Sequence, residues 1–351
     1  MKFTLSELAK LTGSELIGDP NHKISNVADL DSAGVGDAAF FAPPAYVAAR
    51  YETAMKNSQA GVTFLSDKSL IIDGRNFLIN ESPSRAFQVL LEKFLDARGS
   101  NTGFAGIHSS AIIHESAIIA EDVEIGPLCV IDKNVHIAKG TKVGAQVFLG
   151  ASACIGEDCL IHPQVCIREY CTLGNRVILQ PGAIIGSCGF GYTTDERGKH
   201  TKLEQLGTVV IDDDVEIGAN TCIDRSRFKE TRVGQGTKVD NLVQVAHGAE
   251  LGQDNLMISL SAIAGSTKLG DRVVFAGQTA AAGHLTITND CIFAGRSGIT
   301  KSIKESGRYA GMPAVKLNDY NRMQAHQKRL ADYVKEIKEM KKRIEELEKG
   351  S

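Results

Sequence analysis

His247 lies in the run Val245-Ala246-His247-Gly248, and steps of eighteen residues from it reach Gly265 and then Gly283, which has His284 beside it. Eighteen residues is three times the period of a repeat that runs through most of the chain, so these positions stack. An imidazole whose ordinary pKa is ~6.5 suits a general base at neutral pH. Two positions without side chains in line with it would open a groove and leave backbone N–H groups to a ligand. Glycines are also placed at chain corners for backbone geometry alone, and an isolated histidine in β structure is commonly structural. The second histidine beside the groove tips the reading toward a site. The other histidines (22, 108, 114, 136, 162, 200 and 326) show no such stacking. The eight cysteines (129, 154, 159, 166, 171, 188, 222 and 291) include no Cys-x-x-Cys pair, and several fall on repeat core positions. They read as small reduced hydrophobes rather than metal ligands or disulfides, and no metal site is expected.

The element that must carry these residues is a repeat. From Ile113 an aliphatic residue recurs at every sixth position through Ile119, Ile125, Ile131, Ile137 and Val143 to Leu179 and Ile185. A row of smaller residues precedes it by two places, as at Ala111, Val123, Cys129 and Val135. Six residues turn an α-helix through ~600°, so a helix cannot keep this period on one face. A triangular coil can, with one short strand and one corner per hexapeptide, and eighteen residues per turn stacked at ~4.8 Å. The rhythm pauses at 187–208, resumes at Ile211, Ile217 and Ile223, takes four extra residues before Val233, and continues to Ile299. The pauses are expected to be loops standing out from the coil, and loops on a rigid scaffold commonly carry function.

Residues 1–104 lack the repeat and read as a small α/β domain. It should hold helices near Leu5–Thr12 and Pro83–Ala97 and strands near Gly61–Leu65 and Asn76–Ile79. The coil should occupy 105–312, with Pro313 closing it, and a helical extension should follow over 313–351. In that extension Leu330, Tyr333, Ile337, Met340, Ile344 and Leu347 form a three-heptad seam, short for an isolated coiled coil and suited to supporting an oligomer held elsewhere. Composition narrows the function classes. A net charge of −3 does not mark a nucleic-acid binder. Residues 301–351 nevertheless hold 13 Lys/Arg against 8 Asp/Glu, a basic end suited to an acidic carrier protein or, peripherally, an anionic membrane surface. With no signal peptide and no apolar run near the ~20 residues of a membrane span, a cytoplasmic location is expected.

Three stretches narrow the coil further: Asp240-Asn241-Leu242-Val243-Gln244-Val245-Ala246-His247, Gly189-Phe190-Gly191-Tyr192 and Ile223-Asp224-Arg225. Together with the head and the C-terminal helix, they resemble the UDP-3-O-(3-hydroxyacyl)glucosamine N-acyltransferases of lipid A synthesis over nearly the whole chain. The resemblance implies a left-handed parallel β-helix, a homotrimer with sites between subunits, and no cofactor. It implies an acyl-acyl-carrier-protein donor bearing phosphopantetheine, and the 2-amine of UDP-3-O-acyl-glucosamine as acceptor. By position it makes His247 the general base, Asp240 its partner and His284 a second active-site histidine. Gly265 would offer its N–H to the thioester oxygen, with Asn241, Gln244 and Gly283 lining the substrate. Phe40 and Tyr46 match an aromatic pair that holds uracil.

Two positions depart from the family pattern. Pro43 stands where the family carries Asn between the aromatics, and proline offers only a carbonyl acceptor where an amide would give paired hydrogen bonds. Ser226 follows Asp224-Arg225 where glycine is usual. Three other readings compete. An O-acyltransferase of UDP-N-acetylglucosamine does not account for the head of about 100 residues. A zinc β-helix hydratase needs three histidines, and 285–300 contains none. A trimeric scaffold without activity leaves the His247 column unexplained.

Overall fold

The structure is a computed structural model that describes residues 1–43, 48–98 and 104–349. The chain divides into two compact units, Met1–Gly103 and Phe104–Ser351.

The first unit is a five-stranded sheet covered on both faces. The strands run in the order Glu15–Ile17, Phe77–Ile79, Val62–Leu65, Asp37–Phe40, Asn26–Val27, and the first pair alone is antiparallel. Val62–Leu65 is buried along its whole length, as a strand covered on both faces requires. Phe64 packs with Leu5, Leu8, Phe87 and Leu90 on one side, while Leu65 packs with Met55 and Phe77 on the other. Those layers are helices α1 (Leu5–Thr12) and α3 (Pro83–Arg98) on one face and α2 (Ala48–Asn57) on the other. Helix α1 begins with a reciprocal box between Thr4 and Glu7 and ends on Gly13 in the left-handed conformation. The sequence signals for α1 and α3 were plain. Helix α2 was not foreseen, since it buries little beyond Met55.

The second unit is a left-handed parallel β-helix. Strands of two residues pair with the strand eighteen residues on, for example Lys142–Val143 with Leu160–Ile161. Among the described residues this builds three sheets of eleven, ten and nine strands. The aliphatic row fills the interior, and the row two places earlier is buried with it. Polar members of that second row bond to the chain above. Thr141 donates to Gly156 O at 2.8 Å and accepts from Cys159 N at 3.1 Å, while Asn255 donates to Gly252 O of its own coil and accepts from Val273 N of the next at 2.6 Å. The eight cysteines are free, and burial pushes the thiols of Cys129, Cys159 and Cys171 above their ordinary range. Phe275, Phe293 and Tyr309 stack in succession, with ring centroids 5.2 and 5.4 Å apart, and widen the core of the last coils. Beyond Pro313 the β structure goes on for one more strand, Val315–Lys316, antiparallel to Tyr309–Ala310. The extension then forms two helices, α4 (Leu317–Lys328) and α5 (Leu330–Lys349), broken at Arg329. No helix among the described residues is long and apolar enough to cross a membrane.

Candidate active site

Both interruptions of the repeat open at one corner of the triangle, between the ten-stranded and nine-stranded sheets. Residues 189–207 leave the coil between Ile184–Cys188 and Thr208–Ile211, and residues 226–229 leave it between Cys222–Arg225 and Glu230–Val233. The strands flanking these excursions lengthen to four or five residues. The first excursion carries a small hairpin, Tyr192–Thr194 against His200–Lys202, with the Phe190 ring on Tyr192. A buried arginine fixes its root. Arg225 Nε donates to Gly186 O at 2.8 Å, Nη2 donates to Glu169 O at 3.1 Å, and Nη1 pairs with the Glu169 carboxylate at 2.8 Å. The bulge that starts the loop falls at Gly186, whose φ of 87° is the left-handed region that favours glycine.

His247 occupies the same corner one coil further along, between Gln244–Val245 and Glu250–Leu251. Its ring lies over Gly265. A Cβ at 265 would sit 2.5 Å from His247 Cε1, 2.6 Å from Nε2 and 3.0 Å from Nδ1. Backbone geometry does not explain this glycine. The left-handed positions of this corner are Gly248, Ser266 and His284, with φ of 66°, 59° and 60°, and Gly265 lies outside that region. The imidazole itself excludes a side chain there. Close approach governs Gly189 as well, where a Cβ would lie 2.6 Å from His247 Cβ.

The stacking also frees a donor. At the next corner the N–H of Gln253 is taken by the Asp271 side chain of the following coil, and that of Asp271 by Asn289. Gly283, following Gly265, has no side chain to offer, and among the described residues the Gly265 N–H has no acceptor. The Gly265 carbonyl is occupied, by His284 N at 3.0 Å. His284 thus adjoins the column without belonging to it, and its side chain is exposed. In front of His247 is a cavity of about 930 Å³, lined also by Gly248, Ser266, Ser226, Phe228 and Lys268. A half-buried imidazole, an unoccupied N–H one strand spacing away and an open cavity can together take a proton and hold a developing oxyanion.

The other expected residues are dispersed. Asp240 stands at the preceding corner, between the eleven-stranded and ten-stranded sheets. There it accepts from the Ser259 hydroxyl, from Ser259 N at 3.0 Å and from Asn241 N at 2.7 Å. The Ser259 hydroxyl first, and then the Asn241 N–H, hold its carboxyl below the usual range. Within one chain it makes no hydrogen bond to His247. Asn241 shares that corner and accepts from Ala219 N at 2.7 Å. Gln244 lies on the strand that leads into the base, and its amide donates to Asp224 at 3.0 Å. In the head unit Phe40 rests on Phe87, with centroids 4.9 Å apart. It lines a separate cavity of about 500 Å³ with Pro43, Asp31, Arg50 and Tyr51. Tyr46 lies outside the described residues.

Two buried groups near His247 were missed. Gln205, 8% exposed, donates to Leu203 O, and its own side-chain oxygen accepts no hydrogen bond among the described residues. Asp224, 7% exposed, accepts from Gln244 and from the Ser187 hydroxyl. A sequence signal existed for Asp224. Cys222–Ile223 pairs with Gln244–Val245 at a spacing of twenty-two, eighteen plus the four inserted residues, which brings Asp224 opposite Ala246.

Comparison with known proteins bears on the fold and the family. Residues 155–187 match the bacterial transferase hexapeptide model. A UDP-3-O-acylglucosamine N-acyltransferase of Protochlamydia amoebophila is 52% identical over 99% of this chain and 97% of its own. One from Chlamydia pneumoniae is 42% identical over 98% of this chain and 95% of its own. Among solved structures, an Arabidopsis UDP-N-acetylglucosamine acyltransferase shares the coil at a TM-score of 0.52 and 23% identity, covering 58% of this chain and 71% of that one. Such identity along essentially its entire length places the chain in the UDP-3-O-acylglucosamine N-acyltransferase family, and it is an acyltransferase built on hexapeptide repeats.

Proposed function

We propose that the protein moves a (3-hydroxy)acyl chain from an acyl-carrier-protein thioester to the 2-amine of UDP-3-O-acyl-glucosamine, in lipid A synthesis and without a cofactor. The observation that carries this is the His247 ring stacked on Gly265 with the Gly265 N–H unoccupied. His247 takes a proton as the amine attacks the thioester carbon. The Gly265 N–H receives the oxyanion, the C–S bond breaks as the C–N bond stands, and the departing phosphopantetheine thiolate takes the proton from His247, which returns the base to its starting form. Attack is direct, since this chemistry requires no acyl-enzyme on Ser or Cys. His284 orients substrate beside the column, and the Phe40 cavity of the head receives uracil. With Pro43 in place of an amide, the polar part of that recognition falls to other side chains there, of which Asp29, Asp31 and Arg50 are the charged ones. The names of the relatives support the acceptor and its N-acylation. Mass analysis of product tests it, using a panel of acyl-carrier-protein thioesters with free-amine and N-acetylated acceptors. Acylation of the free amine alone is expected, and transfer to the N-acetylated acceptor would overturn the reading.

The working unit proposed is a homotrimer. Asp240 and His247 occupy successive corners of one chain, so a partnership between them takes two chains. The seam of α5 likewise leaves Leu330, Ile337, Met340 and Ile344 exposed in a single chain, and its basic surface is the segment assigned to the acidic carrier. Sedimentation should give about three times the 37.6 kDa chain mass; a monomer at micromolar concentration would remove the basis for shared sites.

A further inference from the structure

We infer that Asp224, held by Ser187 and Gln244 beneath the His247 corner, is the positioning carboxylate that supports the charged imidazole from within the same chain. This rests on His247 being the base. Three placements carry it. Asp224 lies on Cys222–Arg225, the strand paired with Gln244–Val245, and one residue beyond the paired stretch, so it points its backbone at Ala246, the residue before His247. Both carboxylate oxygens are tied down inside the protein, one by the Ser187 hydroxyl and the other by Gln244 Nε2 at 3.0 Å. Neither donor is a cation, and among the described residues no salt bridge reaches Asp224. The charged and titratable groups around it are few. Cys222 and Arg225 share its strand and Cys188 lies on the strand before. The Arg225 guanidinium is committed to Glu169 and to the Gly186 carbonyl, and Lys202 stands with Cys188 and Glu204. Among the described residues, that leaves His247, on the neighbouring coil, as the group whose positive state can face this carboxylate.

The environment fits the role. Burial raises the Asp224 carboxyl above its ordinary range, and the Ser187 and Gln244 hydrogen bonds and the His247 charge offset part of that rise. An uncompensated buried carboxylate costs folding stability, and a site that retains one has a use for it. When His247 accepts the proton of the attacking amine, the Asp224 charge acquires its missing counter-ion, so the stabilisation is larger in the transition state than in the resting enzyme. No proton passes to Asp224, which acts through the imidazole alone. Asp240, at the previous corner with three donors of its own, is a separate group.

The test is Asp224→Asn in the full-length enzyme, with kcat and KM followed against pH at saturating acyl donor. The amide matches the carboxylate in size, and the Gln244 amide can turn over to bond with it. We expect kcat to fall roughly tenfold to a hundredfold, less than the ~10⁴ seen where an aspartate bonds its histidine directly. Acceptor KM should hold, the acidic limb of kcat/KM should move to lower pH, and Tm should match or exceed wild type. A merely structural carboxylate would lower Tm and leave the limb in place. In a His247→Ala background the substitution should cost nothing further, whereas additive losses would show that Asp224 acts independently of the base. Ser187→Ala, which frees one carboxylate oxygen, should lower kcat several-fold and serves if the first variant does not fold. An unmoved pH profile in the variant measured, with His247→Ala itself inactive, would overturn this inference while leaving the base assignment standing.

Discussion

His247→Ala should abolish turnover while leaving acceptor KM and melting temperature near their wild-type values. A general base is worth ~10²–10⁴ in rate, and its effect is felt in the transition state rather than in ground-state binding. The fold gives little reason for a stability loss, because the ring is half-buried and no described residue hydrogen-bonds to its nitrogens. What the ring contacts is Gly265, which tolerates the smaller residue by construction. His284→Ala should cost less in kcat, since that side chain is exposed and one residue out of the column. Asp240→Asn should fall between the two if the partnership across chains exists. Its three local donors would lose a charged acceptor in either case, so a drop in Tm without a drop in kcat would mark Asp240 as structural. A His247→Ala enzyme retaining more than about a tenth of wild-type kcat would end the base assignment, given the size of that effect.

The sequence made the coil legible because a six-residue period has only one common structural solution, and the column through His247, Gly265 and Gly283 followed from multiplying it by three. The arithmetic failed where the period broke. Asp224 and His247 are twenty-three residues apart, and only the pairing of Ile223 with Val245 shows that an insertion of four has brought them to neighbouring coils. That both pauses open at one corner went unread although the row carries it, since Ile185 and Ile223, the inward residues before them, are three hexapeptides apart and pair directly. The glycines were ambiguous for another reason. Gly265 is neither at the left-handed turn position nor on the inward row, so its purpose appears only when the imidazole is seen above it. In the head, α1 carries capping signals and α1 and α3 bury apolar faces, while α2 buries little beyond Met55 and the strands Lys23–Ile24 and Asn26–Val27 are only two residues long.

Gly265→Ala should be nearly as damaging as loss of the base, although it removes no functional group. A methyl at 265 would fall 2.5–2.6 Å from two ring atoms of His247, and those atoms belong to a ring close to its own backbone rather than to the end of a flexible chain. The ring has to swing away or the coil has to shift. Either movement breaks the alignment between base and N–H, and an error of ~1 Å in such a pair can cost ~10²-fold. Full loss of an oxyanion donor is worth ~10²–10³ by itself, and the two figures describe the same displacement, so a kcat loss of roughly 10²–10³ is expected. Stability should change little. The backbone at 265 lies outside the left-handed region, so alanine is not strained there, and its lower unfolded-state entropy contributes ~0.4–1 kcal/mol against whatever the clash costs. Gly283→Ala is the matched control one coil on, where the nearest atoms to a new Cβ are Gly265 O at 3.2 Å and Ala264 Cβ at 3.9 Å. That methyl is tight against one backbone oxygen but meets no atom of the His247 ring, so it should raise KM for substrate and cost kcat much less than Gly265→Ala. Steady-state kinetics on the two variants, with Tm measured alongside, separates the cases. Wild-type kcat in Gly265→Ala would mean that neither the ring position nor the N–H beneath it takes part in the reaction.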